Sequence, residues 1–355
     1  MDPNSLIPSP DTIPAPSWVF ILLEQLLFLL HIIVINAALG GAIITLVKRF
    51  KMKDEEYTAL YKPAAVKLPI LIALGINFAI PPLLFLQVVF GNLFYSSSVL
   101  MAVYWIMIIP LLVIAYYGFY IHSAKLTSSP RFSKAAIACS ILIMLYIGLM
   151  LVTNNSLMVQ PEKWSAYFEN RGGTILNFSD PAIFPRYLHF ITASIAVGSL
   201  FFAFIYKFKK HENSEVLIKN SLKIFAIATS FQVLVGTWYL LAIPSEFIPN
   251  FMGKDIVSSL VLLIGFLFGI ISIIVAFKGN FNLTIITLFI TMVAMITTRH
   301  NLRMMYLEDN FTLNQLILVP QYGVLALFLF VLLLGLVAIG YMLKIGFPKT
   351  NGEAV

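Results

Sequence analysis

The chain has 355 residues, 60% of them hydrophobic and only 11% charged, with a formal net charge of +7. Water-soluble domains carry about 25% charged residues, so the composition excludes an ordinary soluble enzyme or binding module. The lone Cys139 excludes a disulfide framework and the C-x-x-C-H attachment of a c-type haem, and the basic residues sit in short segments between apolar runs, which excludes nucleic acid as a partner. Residues 1–25 come first. They are proline-rich, lack a basic start and predict an extended outer arm rather than a cleaved signal peptide. Residues 17–25 continue an apolar pattern but contain Glu24 and Gln25, which sets the predicted membrane entry at Leu26. Nine apolar runs follow, at about 26–47, 68–91, 98–122, 134–153, 186–206, 221–243, 256–277, 281–299 and 321–343. Each is close to the ~20 residues that cross a ~30 Å hydrocarbon core as a helix. The longest connection, 154–184, is long enough to fold over one face and contact a partner.

Charge separates the two ends of these spans. One side carries seventeen basic residues: Lys48, Arg49, Lys51, Lys53, Lys62, Lys67, Lys125, Arg131, Lys134, Lys207, Lys209, Lys210, Lys219, Lys223, Lys278, Lys344 and Lys349. The other carries six: Lys163, Arg171, Arg186, Lys254, Arg299 and Arg303. Basic loops stay in the cytoplasm, so the N-terminus is expected outside and the C-terminus inside.

Two stretches are near-copies of each other: LLFLLHIIVINAALGGAIITLVKRFK at 26–51 and FPRYLHFITASIAVGSLFFAFIYKFK at 184–209. Aligned on His31 and His189, Gly40 matches Gly198, and Arg49-Phe50-Lys51 matches Lys207-Phe208-Lys209. This reads as a duplicated helical unit. The expected fold is an all-α integral membrane protein of about nine transmembrane helices, two four-helix bundles (26–153 and 185–299) plus a ninth helix. The outer arm 1–25, the outer loops 154–184 and 300–320, and the ninth helix with its tail at 321–355 complete the expected organisation.

An ionisable group inside lipid costs about 2–3 kcal/mol or more and is functional by default. A lone core histidine in a soluble protein is more often a satisfied hydrogen bond. An imidazole repeated at one depth in an apolar helix instead suits a haem held by coordination, as in a membrane bundle. His31 and His189 are therefore the first candidate ligands, and His300, at the end of the eighth span among Arg299 and Arg303, is the third. His122 and His211 read as interfacial or solvated. Arg186, Arg299 and Arg303 share the outer face, either as partners of haem propionates or as headgroup anchors. Met304 and Met305 read as space-filling rather than as thioether ligands.

Four segments now resemble one family. Gly75-Ile76-Asn77-Phe78-Ala79 within 73–94, LMLVTNNSLMVQP at 149–161, RYLHFITASIAVG at 186–198 and SLKIFAIA from Ser221 resemble subunit I of the cytochrome bd quinol oxidases. The resemblance implies a prokaryotic cytoplasmic (inner) membrane, with His31 on the family's first-helix ligand to the high-spin haem iron and His189 on its low-spin haem b ligand. The departures are specific. Spans 98–122 and 281–299 contain no Asp or Glu, Val261 stands where the family places a methionine ligand, and the quinol loop is cut to PSEFIPNFMGKD. The expected function is then a haem b-binding subunit of a respiratory electron-transfer complex, and not an oxygen reductase on its own. It would hold one to three non-covalent haem b groups, with His189 and His300 as a ligand pair and His31 at a second haem. Electrons would pass between a quinone pool and outer-face subunits such as c-type cytochromes or iron–sulfur proteins. A divergent quinol:oxygen oxidase and a haem-free transporter or anchor are the alternatives.

Overall fold

A computed structural model describes residues 3–208 and 213–346. Ten α-helices account for most of the chain: α1 (Ser17–Lys51), α2 (Asp54–Ala65), α3 (Leu68–Leu100), α4 (Ala102–Lys125), α5 (Pro130–Met158), α6 (Ile183–Phe208), α7 (Ser214–Ala242), α8 (Ile256–Phe277), α9 (Phe281–Leu307) and α10 (Tyr322–Gly346). Among the described residues eight helices are long and apolar enough to cross a membrane, every one but the short α2 and the terminal α10. With α10 as the ninth, the architecture is an all-α integral membrane protein. The arginine-bearing ends of α6 and α9 lie on the face where α1 begins, called here the arginine face; the opposite face carries the lysine-rich connections.

Two boundaries differ from expectation. α1 begins at Ser17, directly after the extended Pro16, so the arm is shorter than 1–25 and Glu24 lies inside the helix. The apolar run Trp18–Leu23 supplies the extra turns, and a partner for Glu24 removes the reason to stop. α9 likewise runs through Arg299, His300 and Arg303 to Leu307 rather than ending at 299, so the expected loop 300–320 is helical at its start. The short α2 was not expected; it lies on the lysine face, where buried Tyr57 and Tyr61 pack with Phe202 and Tyr206.

The duplication is visible as geometry. Helices pair within each half as α1–α3 and α4–α5, then as α6–α7 and α8–α9, and the halves meet along α1 and α6. A residue on a twofold axis touches its own counterpart, and two counterpart pairs do so here. Ser194 Oγ donates to Asn36 Oδ1 at 2.8 Å, a pair separated by 158 positions. Gly40 and Gly198, at the same separation, pack backbone to backbone: a Cβ on Gly40 would lie 1.7 Å from the Ser194 carbonyl oxygen, and one on Gly198 would lie 2.3 Å from Gly40 C. Only glycine permits so close an approach. Because α1 and α6 run parallel and touch at counterpart positions, His31 and His189, each five residues before the Asn36–Ser194 contact, lie at one depth.

The lysine-face ends keep the same relation. Arg49 Nη2 donates to the Leu126 carbonyl at the end of α4 (2.7 Å) and its guanidinium stacks on Tyr57. Its counterpart Lys207 reaches Asn282 and the Phe281 ring at the start of α9. Each half thus ties the first helix of the unit to the hairpin of its last two.

On the arginine face, the connection between α5 and α6 folds over the bundle as expected and is pinned by a buried polar network. Asp180 accepts from Ser156 Oγ (2.6 Å) and Gln160 Nε2 (2.9 Å), while Asn177 donates to Gln160 Oε1 (3.0 Å). The arm pairs with the segment before α10, Ile13 N to Ile317 O and Val319 N to Ile13 O, both 2.9 Å. α10 itself packs at its arginine-face end, where Phe328 meets Phe85 edge-on, and presents most of its other described side chains outward.

Candidate functional site

α6 is amphipathic in an apolar setting. Residues spaced three and four apart, Arg186, His189, Phe190, Ala193 and Val197, form one stripe that faces inward. Opposite stand small residues of α8, Gly265, Gly269 and Ser272, and a stripe of α9 comprising Thr291, Met292, Met295, Arg299 and Leu302. α7 contributes Thr229, Gln232 and Gly236, and α1 closes the side with Phe28, Ile32 and Asn36. Between them lies a cavity of about 500 Å³ inside the second bundle. That size falls within the range of cofactor pockets, about 300–1,000 Å³.

The walls are apolar, yet three polar atoms of the lining residues are buried without a partner: Asn36 Nδ2, His189 Nδ1 and Thr229 Oγ1. Buried polar groups are nearly always bonded, so orphans gathered around one cavity point to an occupant. The other ring nitrogen of His189 meets the Gln232 amide nitrogen at 3.2 Å, and the absent side chain of Gly236 leaves room for the ring, a Cβ there lying 3.2 Å from Cε1 and Nδ1.

The arginine-face end of the cavity is cationic. Arg186 and Arg299 line it, and Arg299 lies 4.2 Å above the Phe28 ring. Behind it Arg303 makes a two-pronged bond to Glu24, at 2.9 and 3.0 Å, with the carboxylate 4% exposed and the guanidinium 3%. Arg299 approaches the same carboxylate at 3.6 Å. Among the described residues Glu24 is the one carboxylate within ion-pairing distance of any of these three arginines. Three cations against one anion leave a surplus that an acidic group at the cavity end would neutralise.

The structure brings His189, Arg186 and Arg299 together at this cavity and holds Arg303 one layer behind. It does not bring His300 to it: His300 is absent from the lining, lies on the side of α9 turned away from the 292/295/299/302 stripe, and has a buried, unpartnered Nδ1. The expected His189–His300 pairing therefore has no cavity-side counterpart, because one residue past Arg299 is a rotation of about 100° around the helix. His31 lies outside this cavity too. Its Nδ1 contacts the Gly75 carbonyl oxygen at 2.9 Å, within the GINFA segment, which fixes the Nδ1–H tautomer and leaves Nε2 as the electron-pair donor. That is the usual arrangement of a histidine oriented for a metal.

His122, expected to be interfacial or solvated, lies in the last turn of α4 at the lysine-face end but is not solvated. It is fully buried between α4 and α5, where Ser133 Oγ lies 2.9 Å from Nδ1 and also donates to the His122 carbonyl (3.0 Å). His211 lies outside the described residues. Met304 and Met305 pack against hydrophobic clusters, as a space-filling role requires. Sequence reasoning missed Glu24, Asn36, Gln232 and Met295. Asn36 alone had a local signal, since it occupies the position of Ser194 in the aligned repeat.

The fold and this cavity define a polytopic helical membrane protein with a histidine-bearing chamber in one of two duplicated bundles. No family model, curated protein or solved structure matches the chain.

Proposed function

We propose that this chain is a haem b-binding membrane subunit of a respiratory electron-transfer complex. It sits in a prokaryotic cytoplasmic membrane with its arginine face outside, and exchanges electrons between a quinone pool and outer partners of the c-type cytochrome or iron–sulfur kind. The observation that carries the reading is the cavity in the second bundle: a histidine set among apolar walls, its Nε2 met by the Gln232 amide alone and its Nδ1 buried beside Gly236, with more arginines than carboxylates at one end. A haem is a flat apolar body with a central metal and two carboxylates at one edge, and the residues present fit each part. His189 would hold the iron, Arg186 and Arg299 would take the propionates, and Gly265, Gly269 and Val197 would line the ring. Bound there, haem supplies one-electron transfer. The protein's own contribution is to orient the imidazole through Gln232 and Gly236, keep water from the apolar walls and compensate the acidic edge. The tied Nδ1 of His31 favours a second ligand position at the same depth in the first bundle.

The reduced-minus-oxidised spectrum of the purified protein tests this. The expected result is the sharp α band of low-spin haem b from the His189 site. A carbon monoxide shift of the whole signal would favour an oxidase, and no haem absorption would favour a transporter or anchor. The proposed orientation rests on the seventeen-to-six basic asymmetry. A reporter active only in the cytoplasm and fused after Val355 is expected to work, and activity confined to the outer side would reverse the assignment.

A further inference from the structure

The cavity beside His189 is closed on most sides. At the arginine-face end a buried cluster of Ala182, Ile243, Phe251 and Leu302 roofs it. The turn that carries this roof is held to α8, since Ser259 Oγ accepts from Gly253 N (2.8 Å) and donates to the Asn250 carbonyl (3.0 Å). At the deep end Ala196, Leu200, Phe225 and Ala276 belong to a second buried cluster. Along α1 the contact of Gly40 with Gly198 shuts the seam, and between α8 and α9 the methyl group of Met295 fills the space left by Gly265.

One side differs. Thr237, Met252, Leu263 and Phe266 line the cavity and are also exposed, Leu263 by 50% and Phe266 by 45%. All four belong to α7, α8 or the turn that joins them, whereas every lining residue from α1, α6 and α9 is buried or half-buried. A residue that faces both a cavity and the exterior marks the edge of an opening, so this cavity opens sideways between α7 and α8. The opening lies well below the helix ends. Thr237 is five residues from the end of α7, and Leu263 and Phe266 are seven and ten from the start of α8. At 1.5 Å per residue these are depths of about 7 to 15 Å, within the ~30 Å hydrocarbon layer. The rim therefore meets lipid tails, not water.

An occupant that arrives this way must dissolve in the membrane. Haem does so with its ring among the tails and its propionates held at the headgroups. In that posture the acidic edge already stands at the level of Arg186 and Arg299, so the ring can enter edge-first without turning over. Gly236 on α7 and Gly265 and Gly269 on α8 keep the passage behind the rim free of bulk.

We propose that haem reaches His189 from the bilayer through this opening between α7 and α8, with Thr237, Leu263 and Phe266 as its rim. The inference rests on the haem reading of the cavity and adds the route of loading and the phase that supplies the cofactor.

The test uses the full-length protein in lipid nanodiscs, purified from haem-deficient cells and checked for helix content by circular dichroism. The exposed Cys139 is first replaced by serine. Thr237→Cys and Phe266→Cys then mark the rim, and Leu234→Cys, 66% exposed on α7 but outside the lining, is the control. Both rim cysteines are expected to react with pyrene maleimide dissolved in the lipid and to resist a sulfonated, water-soluble maleimide, a readout that needs no haem. Haem uptake from haem-loaded phosphatidylcholine vesicles is followed by Soret absorbance. Pyrene on either rim cysteine is expected to slow uptake about tenfold, an added barrier of about 1.4 kcal/mol, while the unlabelled variants and labelled Leu234→Cys load at the wild-type rate. Uptake unaffected by rim labels, equal slowing by the control label, or rim cysteines reached from water would overturn the route alone. Unlabelled protein that takes up no haem would remove the haem reading and the route with it.

Discussion

Replacing His189 by alanine is expected to remove one low-spin haem signal completely and to abolish electron transfer, while the helices still insert. The imidazole is the only strong nitrogen ligand on the cavity wall, with one ring nitrogen unpartnered and the other meeting only Gln232. Alanine is apolar and an excellent helix former, so α6 loses neither its hydropathy nor its propensity. The contact at Gly40 and Gly198 lies more than two turns deeper and is untouched. Loss of function should therefore separate from loss of fold. His122→Ala provides the contrast, since that imidazole bonds Ser133 between α4 and α5, far from the cavity lining, and should leave the spectrum unchanged. Haem content and optical spectra of both variants, with circular dichroism for insertion, check the prediction. Full haem retention in His189→Ala would refute the assignment.

Glu24→Ala is expected to cost about 3–5 kcal/mol of stability, because breaking a buried pair strands the remaining charge. Arg303 would lose both bonds of its two-pronged contact in a position 3% exposed, and Arg299 would lose its one neighbouring carboxylate. The pair also joins the two halves, α1 to α9, so its loss should loosen the seam between the bundles. Leu22→Ala, half a turn away and 49% exposed, removes apolar surface without stranding any charge and should shift stability far less. Thermal unfolding in detergent measures the difference. Equal midpoints for the two variants would show that the ion pair does not hold the seam.

The duplicated architecture was legible because its signals are local and periodic. His31 and Gly40 recur as His189 and Gly198 at one offset, and hydropathy alone delimits the spans. The glycines were visible in that alignment only as a matched pair; that they meet each other backbone to backbone emerged from the packing of α1 on α6. Glu24 was not legible. A carboxylate near the end of an apolar run reads as a boundary, and the arginine that makes it tolerable lies 279 positions away. His300 was legible as an intramembrane imidazole but not in its direction. That depends on which face of α9 borders the cavity, and the face is set by packing against α8 and α1. Gln232 and Met295 are ordinary helix residues until tertiary structure places one beside the His189 ring and the other in the niche of Gly265.

The most direct measurement is the haem content of the purified wild-type protein, taken as the pyridine haemochrome after acid–acetone extraction together with the reduced spectrum before it. The account predicts extractable haem b whose low-spin α band disappears in His189→Ala. A protein purified intact from haem-sufficient cells that carries no haem absorption would contradict it.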